Sequence, residues 1–197
     1  MDLGLTDLIA LATGYIAGSV PFGLFVTRMG GAGDVRSIGS GNIGATNVLR
    51  TGRKGLAALT LLLDALKGLL PVLWFAQFGE NAAALAGLGA FLGHCYPVWL
   101  KFQGGKGIAT FVGVVLGFGP WLLGVFAVVW LGVAYLTRYS SLAALCATVA
   151  VSITALVFFS IPLAAACIAM TVLTYWRHRA NISRLRDGSE GKIGAKG

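Results

Sequence analysis

The 197-residue chain is 57% apolar and only 11% charged, with a net charge of +8. A soluble domain carries about 25% charged residues, so a soluble fold is excluded, and the apolar runs leave no stretch for a separate soluble domain. The positive charge comes without basic stripes, interleaved exposed aromatics or a nucleic-acid motif; no nucleic-acid partner is expected, and the charge reads as basic loops on the cytoplasmic side of a membrane.

The chain opens Met-Asp-Leu-Gly-Leu-Thr-Asp, without the basic start of a signal peptide, so its first apolar run reads as a retained span. Apolar runs follow at about 5–27, 55–78, 82–100, 107–119, 121–137, 141–159 and 161–176, against a requirement of roughly 17–25 residues per span. The run at about 107–119 is short, and only Gly117-Phe-Gly-Pro120 divides it from the next. Charge decides between six spans and seven. With seven and the N-terminus outside, the outer segments hold Asp2, Asp7 and Glu80, and every Lys and Arg except Lys67 falls inside; fusing the short run to its neighbour would put Arg138 and the basic C-terminus outside. The expected fold is therefore an all-α integral membrane protein, one domain over 1–197, with seven transmembrane helices, the N-terminus outside and the C-terminus cytoplasmic. Its cytoplasmic loops fall at about 28–54, 101–107, 137–141 and 177–197. Gly14/Gly18, Gly89/Gly93 and Gly113/Gly117 read as close helix–helix contacts. Asp64 and Lys67 lie mid-span on one helical face, either a functional pair or a mutually neutralising structural one.

Three of these spans start at the cytoplasmic face, each behind a polar loop, so three positive helix ends are expected at one pole. The first loop, Arg36-Ser-Ile-Gly-Ser-Gly-Asn-Ile-Gly-Ala-Thr-Asn-Val-Leu-Arg50, combines glycines, short donors and two guanidinium groups. That composition suits an anion, and makes Arg36, Ser40, Gly41, Asn42, Thr46, Asn47 and Arg50 candidate ligands. Gly104-Gly-Lys-Gly107 adds Gly104, Gly105, Lys106 and Gly107. Ser140-Ser141 reads as a helix cap, with Ser141 facing the same pole.

Several chemistries find no support. Gly39-Ser-Gly-Asn-Ile-Gly44 fits G-x-G-x-x-G but lies between membrane spans, not in a strand–helix unit, so no dinucleotide is expected. A Walker A loop would need glycine where Leu100 stands. The residues five beyond His94 and His178 are Trp99 and Ser183, so no His-x-x-x-x-Asp acyltransferase pair exists. Two separated histidines and Cys95, Cys146 and Cys167 make no metal-ligand set or disulfide framework; neither metal nor cofactor is expected.

Taken together, Gly18-Ser-Val-Pro-Phe-Gly23, Gly39-Ser-Gly-Asn-Ile-Gly-Ala-Thr-Asn47 with Arg50, Asp64-Ala-Leu-Lys-Gly68 with Pro71, Gly93-His-Cys-Tyr-Pro-Val98, Phe102-Gln-Gly-Gly-Lys-Gly107, and His178, Asn181, Arg184-Leu185 and Glu190 resemble the PlsY family of acyl-phosphate-dependent glycerol-3-phosphate acyltransferases. The resemblance covers nearly the whole chain. It implies a multi-pass protein of the bacterial inner membrane with its active site facing the cytoplasm. It also implies transfer of a fatty acyl group from acyl phosphate to the 1-hydroxyl of sn-glycerol 3-phosphate, giving lysophosphatidic acid and phosphate, the first acylation of phospholipid synthesis. By that likeness Ser40 and Arg50 belong to a catalytic first motif, and Gly104, Gly105 and Gly107 to a phosphate-binding second. His178 and Asn181 support activity in a third, where Glu190 holds structure. Lys106 and Arg50 are expected to bind phosphate, with Ser40 or His94 orienting the acceptor hydroxyl. A small transporter or channel for a phosphorylated metabolite is the alternative, with the first loop as its selectivity filter; the seven runs show no inverted repeat to favour it.

Overall fold

The computed structural model describes residues 4–194; Asp2 and Lys196, counted above among the outer and inner charges, lie outside them. The described residues form helices α1 (Leu5–Gly18), α2 (Phe22–Met29), α3 (Ala45–Leu49), α4 (Lys54–Ala76), α5 (Glu80–Cys95), α6 (Ile108–Phe118), α7 (Pro120–Thr137), α8 (Ser140–Phe158), α9 (Ile161–Arg177) and α10 (Arg179–Arg186), with 3₁₀ turns at Val35–Ser37 and Val98–Leu100. They fall into two compact units, Met1–Phe118 and Gly119–Gly197. Among the described residues, five segments are long and apolar enough to cross a membrane: Leu5–Met29, Lys54–Ala76, Glu80–Leu100, Pro120–Thr137 and Ser140–Phe158. Ile108–Phe118 and Ile161–Arg177 are shorter apolar helices. The 11 residues of α6 rise about 16 Å, roughly half the hydrocarbon thickness.

The first apolar run departs from the single helix expected over about 5–27. It breaks between Gly18 and Phe22 because Pro21 has no N–H to continue the ladder. The Val20 carbonyl at the break accepts from Phe22 N at 3.1 Å and from the Lys67 ammonium, which reaches across from α4, at 2.8 Å.

In the first unit, glycines set the helix spacing. A Cβ on Gly14 or Gly18 would lie 2.1 or 2.0 Å from the carbonyl oxygen of Ala86 or Ala90, and one on Gly89 or Gly93 would strike the Leu11 or Tyr15 carbonyl. Helices α1 and α5 thus meet backbone to backbone through both small-residue pairs. Gly68 and Gly113 do the same for α4 and α6, against the Thr110 and Ala65 carbonyls. Tyr15 Oη donates to the Tyr96 carbonyl at 2.8 Å, tying α1 to the end of α5. The opposite face of α4 is apolar: Leu61, Leu62, Leu70, Leu73 and Trp74 are all exposed. In the second unit, the Ser152 and Thr171 hydroxyls pair at 2.8 Å between α8 and α9, and Thr171 also donates to the Thr148 carbonyl.

Candidate functional site

In the loop from Gly30 to Arg53, the apolar side chains of Val35, Ile43 and Val48 are buried, and one buried polar side chain joins the backbone of the turn. Asn47, at the third position of α3, is 2% exposed. Its Nδ2 donates to the carbonyls of Val35, Ile38 and Asn42 at 2.9, 2.9 and 2.8 Å, and its Oδ1 accepts from Ser40 N at 3.1 Å and Ser40 Oγ at 3.4 Å. Asn47, which the sequence reading places among the ligands, is therefore the post around which residues 35–42 fold, because every polar atom it has is taken by the loop. Gly39, at φ +54°, closes the turn, and a Cβ there would lie 2.7 Å from Asn47 Oδ1 and 2.8 Å from Arg50 Nη1. That close approach lays the Arg50 guanidinium beside Gly39, next to Ser40. Ser40, Gly41, Thr46 and Arg50 are exposed and Asn42 is half-buried.

Arg36 is engaged within the loop itself. Its Nη2 meets Asp34 Oδ2 at 2.6 Å and its Nε meets Asp34 Oδ1 at 3.0 Å, while Asp34 also accepts from Arg36 N and from Arg28. These bonds, the Arg36 side chain first, hold the Asp34 carboxyl well below the usual carboxylate range, and Asp34 raises Arg36 in turn. The pair with Asp34 takes Nε and Nη2 of the guanidinium and leaves Nη1 outside it. Asp34 escaped the sequence reading, although its spacing to Arg36 is the signal that could have revealed it.

The second loop is stitched to the end of α5. Gly104 N donates to the Cys95 carbonyl at 3.1 Å, and Gly105 N to the His94 carbonyl at 3.0 Å. Those two amides satisfy α5 carbonyls left open at the helix end. The glycines are needed for contact: a Cβ on Gly104 would fall 2.1 Å from the His94 carbonyl oxygen, on Gly105 2.1 Å from His94 Nε2, and on Gly107 2.3 Å from the Phe91 ring. Gly104 and Gly105 therefore hold the loop flat against α5, so that Lys106, half-buried, rides on a fixed backbone. His94, a candidate ligand by sequence, is 3% exposed and lies under Gly105, with Nδ1 3.7 Å from Asp64 Oδ1.

In the second unit, Glu190 gathers the third motif. Its Oε1 accepts from Asn181 Nδ2 at 2.6 Å and from Ser141 Oγ at 2.7 Å, and its Oε2 accepts from Arg184 Nε at 2.7 Å. Burial pushes the Glu190 carboxyl up, but the bonds from Asn181, Ser141 and Arg184 outweigh it and leave it below its ordinary value. Ser141 is thus a strap for the C-terminal segment, and no side chain caps α8, contrary to the cap expected of Ser140-Ser141. A second tie joins the Ile193 N–H to the Arg138 carbonyl at 2.7 Å and Arg138 Nη2 to the Ile193 carbonyl at 2.9 Å. His178, 3% exposed between α9 and α10, places Nδ1 2.8 Å from the Thr174 carbonyl. A carbonyl only accepts, so Nδ1 carries the proton and, in the neutral ring, Nε2 keeps its lone pair.

The chain that carries these three polar clusters is similar to known proteins along nearly its whole length. The family model for glycerol-3-phosphate acyltransferase matches residues 8–188. The chain belongs to the glycerol-3-phosphate acyltransferase family. It is 61% identical over 198 residues to the glycerol-3-phosphate acyltransferase of Mesorhizobium japonicum, covering 100% of both chains. It is 58% identical over 188 residues to that of Brucella ovis, covering 95% of this chain and 94% of the other. Among solved structures it is similar to PlsY (YgiH), an integral membrane glycerol 3-phosphate acyltransferase, in its glycerol 3-phosphate form, with a TM-score of 0.90, 38% identity, and 95% and 96% of the two chains covered. The lysophosphatidic acid form of PlsY aligns with a TM-score of 0.89. With its apolar helices, the family places this chain among multi-pass membrane acyltransferases.

Proposed function

We propose that this acyltransferase moves a fatty acyl group from acyl phosphate to the 1-hydroxyl of sn-glycerol 3-phosphate at the cytoplasmic face of the inner membrane. The observation that carries the reading is the first loop, where Asn47 and Gly39 bring Ser40 and Arg50 side by side on an exposed, preorganised backbone. Both substrates are phosphates. Arg50 offers a planar fork to one of them, and Lys106, on a backbone fixed to α5, offers a point charge.

The reaction needs little from a protein base. The acceptor oxygen attacks the acyl carbon, the bond from that carbon to the phosphate oxygen breaks, and the leaving phosphate takes the hydroxyl proton. Arg50 and Lys106 stabilise the charge developing on the carbonyl and the leaving group, and holding two substrates in line lowers the barrier by several kcal/mol. Ser40 orients the acceptor hydroxyl. In the third motif Asn181 and Ser141 are braced by Glu190, and His178 is held against the Thr174 carbonyl.

The seven-span arrangement with the N-terminus outside belongs to the same proposal. It is supported by the segregation of Lys and Arg and by five long and two shorter apolar helices among the described residues. Both units serve one acyltransferase domain, as a family match running from residue 8 to 188 suggests. The test offers purified protein acyl phosphate, acyl-CoA and acyl-carrier protein separately with glycerol 3-phosphate. Lysophosphatidic acid should form from acyl phosphate; product from acyl-CoA alone would overturn the donor assignment.

A further inference from the structure

Three ionisable side chains lie buried beneath both loops of the first unit: Asp64 at 1%, Lys67 at 6% and His94 at 3% exposure. Lys67 Nζ is 2.7 Å from Asp64 Oδ1 and 2.8 Å from the Val20 carbonyl, and it sits over the Phe22 ring at 5.7 Å. One ammonium thus holds the break between α1 and α2 against α4. From there α2 runs directly under the first loop, since a Cβ on Gly23 would collide with the Ile43 carbonyl oxygen at 1.8 Å. On the other side, Asp64 faces His94 Nδ1 at 3.7 Å, and His94 Nε2 lies against Gly105 of the second loop.

A lone stabilising ion pair would not need this reach. Burying two charges costs more than their attraction usually returns, and apolar substitutes often do as well. This pair extends along two continuous paths, Lys67–Val20–α2–Ile43 and Asp64–His94–Gly105, and each ends at one of the loops assigned to phosphate. From this geometry we infer that Asp64, Lys67 and His94 are positioning residues that fix the spacing of the first and second loops, and so the alignment of the two substrates. The inference rests on those loops holding the phosphates. A loop displaced by about 1 Å can cost on the order of a hundredfold in rate, so small shifts in these paths would register.

The test is the full-length double variant Asp64→Asn/Lys67→Met, which removes both charges at similar volume and so avoids leaving one charge buried and unpaired. Amide hydrogen exchange is read over 20–24, 38–47 and 102–107, alongside KM for each substrate and kcat. The inference expects a Tm near the parent's, faster exchange in both loops, and kcat/KM for glycerol 3-phosphate reduced on the order of tenfold or more. Parental exchange in both loops overturns it, whatever the activity does, because the loops have not moved. Faster exchange with parental kinetics overturns it too, because the spacing then does not matter to the reaction. If the double variant does not fold, His94→Gln supplies the same readout for the second loop alone, with the same overturning results. Failure of the phosphate assignment is a separate outcome: Arg50→Ala and Lys106→Ala would leave both KM values and kcat unchanged, and that removes the premise without involving the exchange data.

Discussion

Replacing Asn47 by Ala separates a loop built on one side chain from a loop that merely contains it. The change strips donors from three carbonyls, those of Val35, Ile38 and Asn42, and an acceptor from Ser40 N and Oγ. A hydrogen bond contributes about 0.5–1.5 kcal/mol net, and an orphaned buried group costs about 1–3. Val35 is fully buried while Ile38 and Asn42 are half-buried, so water recovers part of the loss at the latter two. We therefore set the cost at roughly 2–4 kcal/mol, borne by the loop and not by the helices. If the ordered loop is the active one, that cost converts to a fall in kcat/KM of roughly 30- to 1,000-fold. The assay is lysophosphatidic acid formation in detergent, paired with hydrogen exchange over 35–50 and a thermal melt. Asn47→Asp should do no better, because it puts a carboxylate against three carbonyls. Near-parental kcat/KM in Asn47→Ala would refute the reasoning, as would a large kinetic loss with unchanged loop exchange, which would return Asn47 to the ligands.

Arg50→Ala should lower kcat/KM by roughly 10- to 150-fold, the worth of a charge-assisted hydrogen bond, whereas Arg36→Ala, already spent on Asp34, should cost far less in the same initial-rate assay. Gly105→Ala must move the His94 ring and should reduce activity at least about tenfold, while Gly55→Ala, with open space around its Cβ, should gain up to about 1 kcal/mol of helix stability in a melt. The Glu190 carboxyl lies below its ordinary 4.5. A group lowered on folding stabilises fully above its unfolded value and loses that contribution as pH falls through the folded one. Protease resistance of the C-terminal segment should therefore hold at pH 5 and above and fall only below about 4.5, with Glu190→Gln lowering it at pH 7 as well.

Spans were the legible part of this chain, because hydrocarbon thickness imposes itself on composition: the run read at about 55–78 is the helix Lys54–Ala76, and that at about 141–159 is Ser140–Phe158. The break at Pro21 is visible in principle, since proline has no N–H to continue a helix, but the apolar run passes through it without a charged residue to mark an end. Within the site, composition marked the right stretches but not the division of labour. Arg36 and Arg50 are chemically alike; only the turn Val35–Ser37, which swings Arg36 onto Asp34, tells them apart. Asn47 looks like any donor until the loop's carbonyls converge on it. The partner of Lys67 at Val20, 47 residues away, follows from how α1 crosses α4 and leaves no trace in local spacing.

Direct transfer between two bound phosphates is the central claim, and the initial-rate matrix tests it most directly. Glycerol 3-phosphate and acyl phosphate are varied together on the purified protein, with rates read as lysophosphatidic acid and phosphate. Both substrates must be bound at once for the leaving phosphate to take the acceptor's proton, so double-reciprocal lines should intersect, and Ser40→Ala should keep that pattern at a lower rate. Parallel lines, with an acyl group trapped on Ser40 when acyl phosphate is supplied alone, would contradict the account.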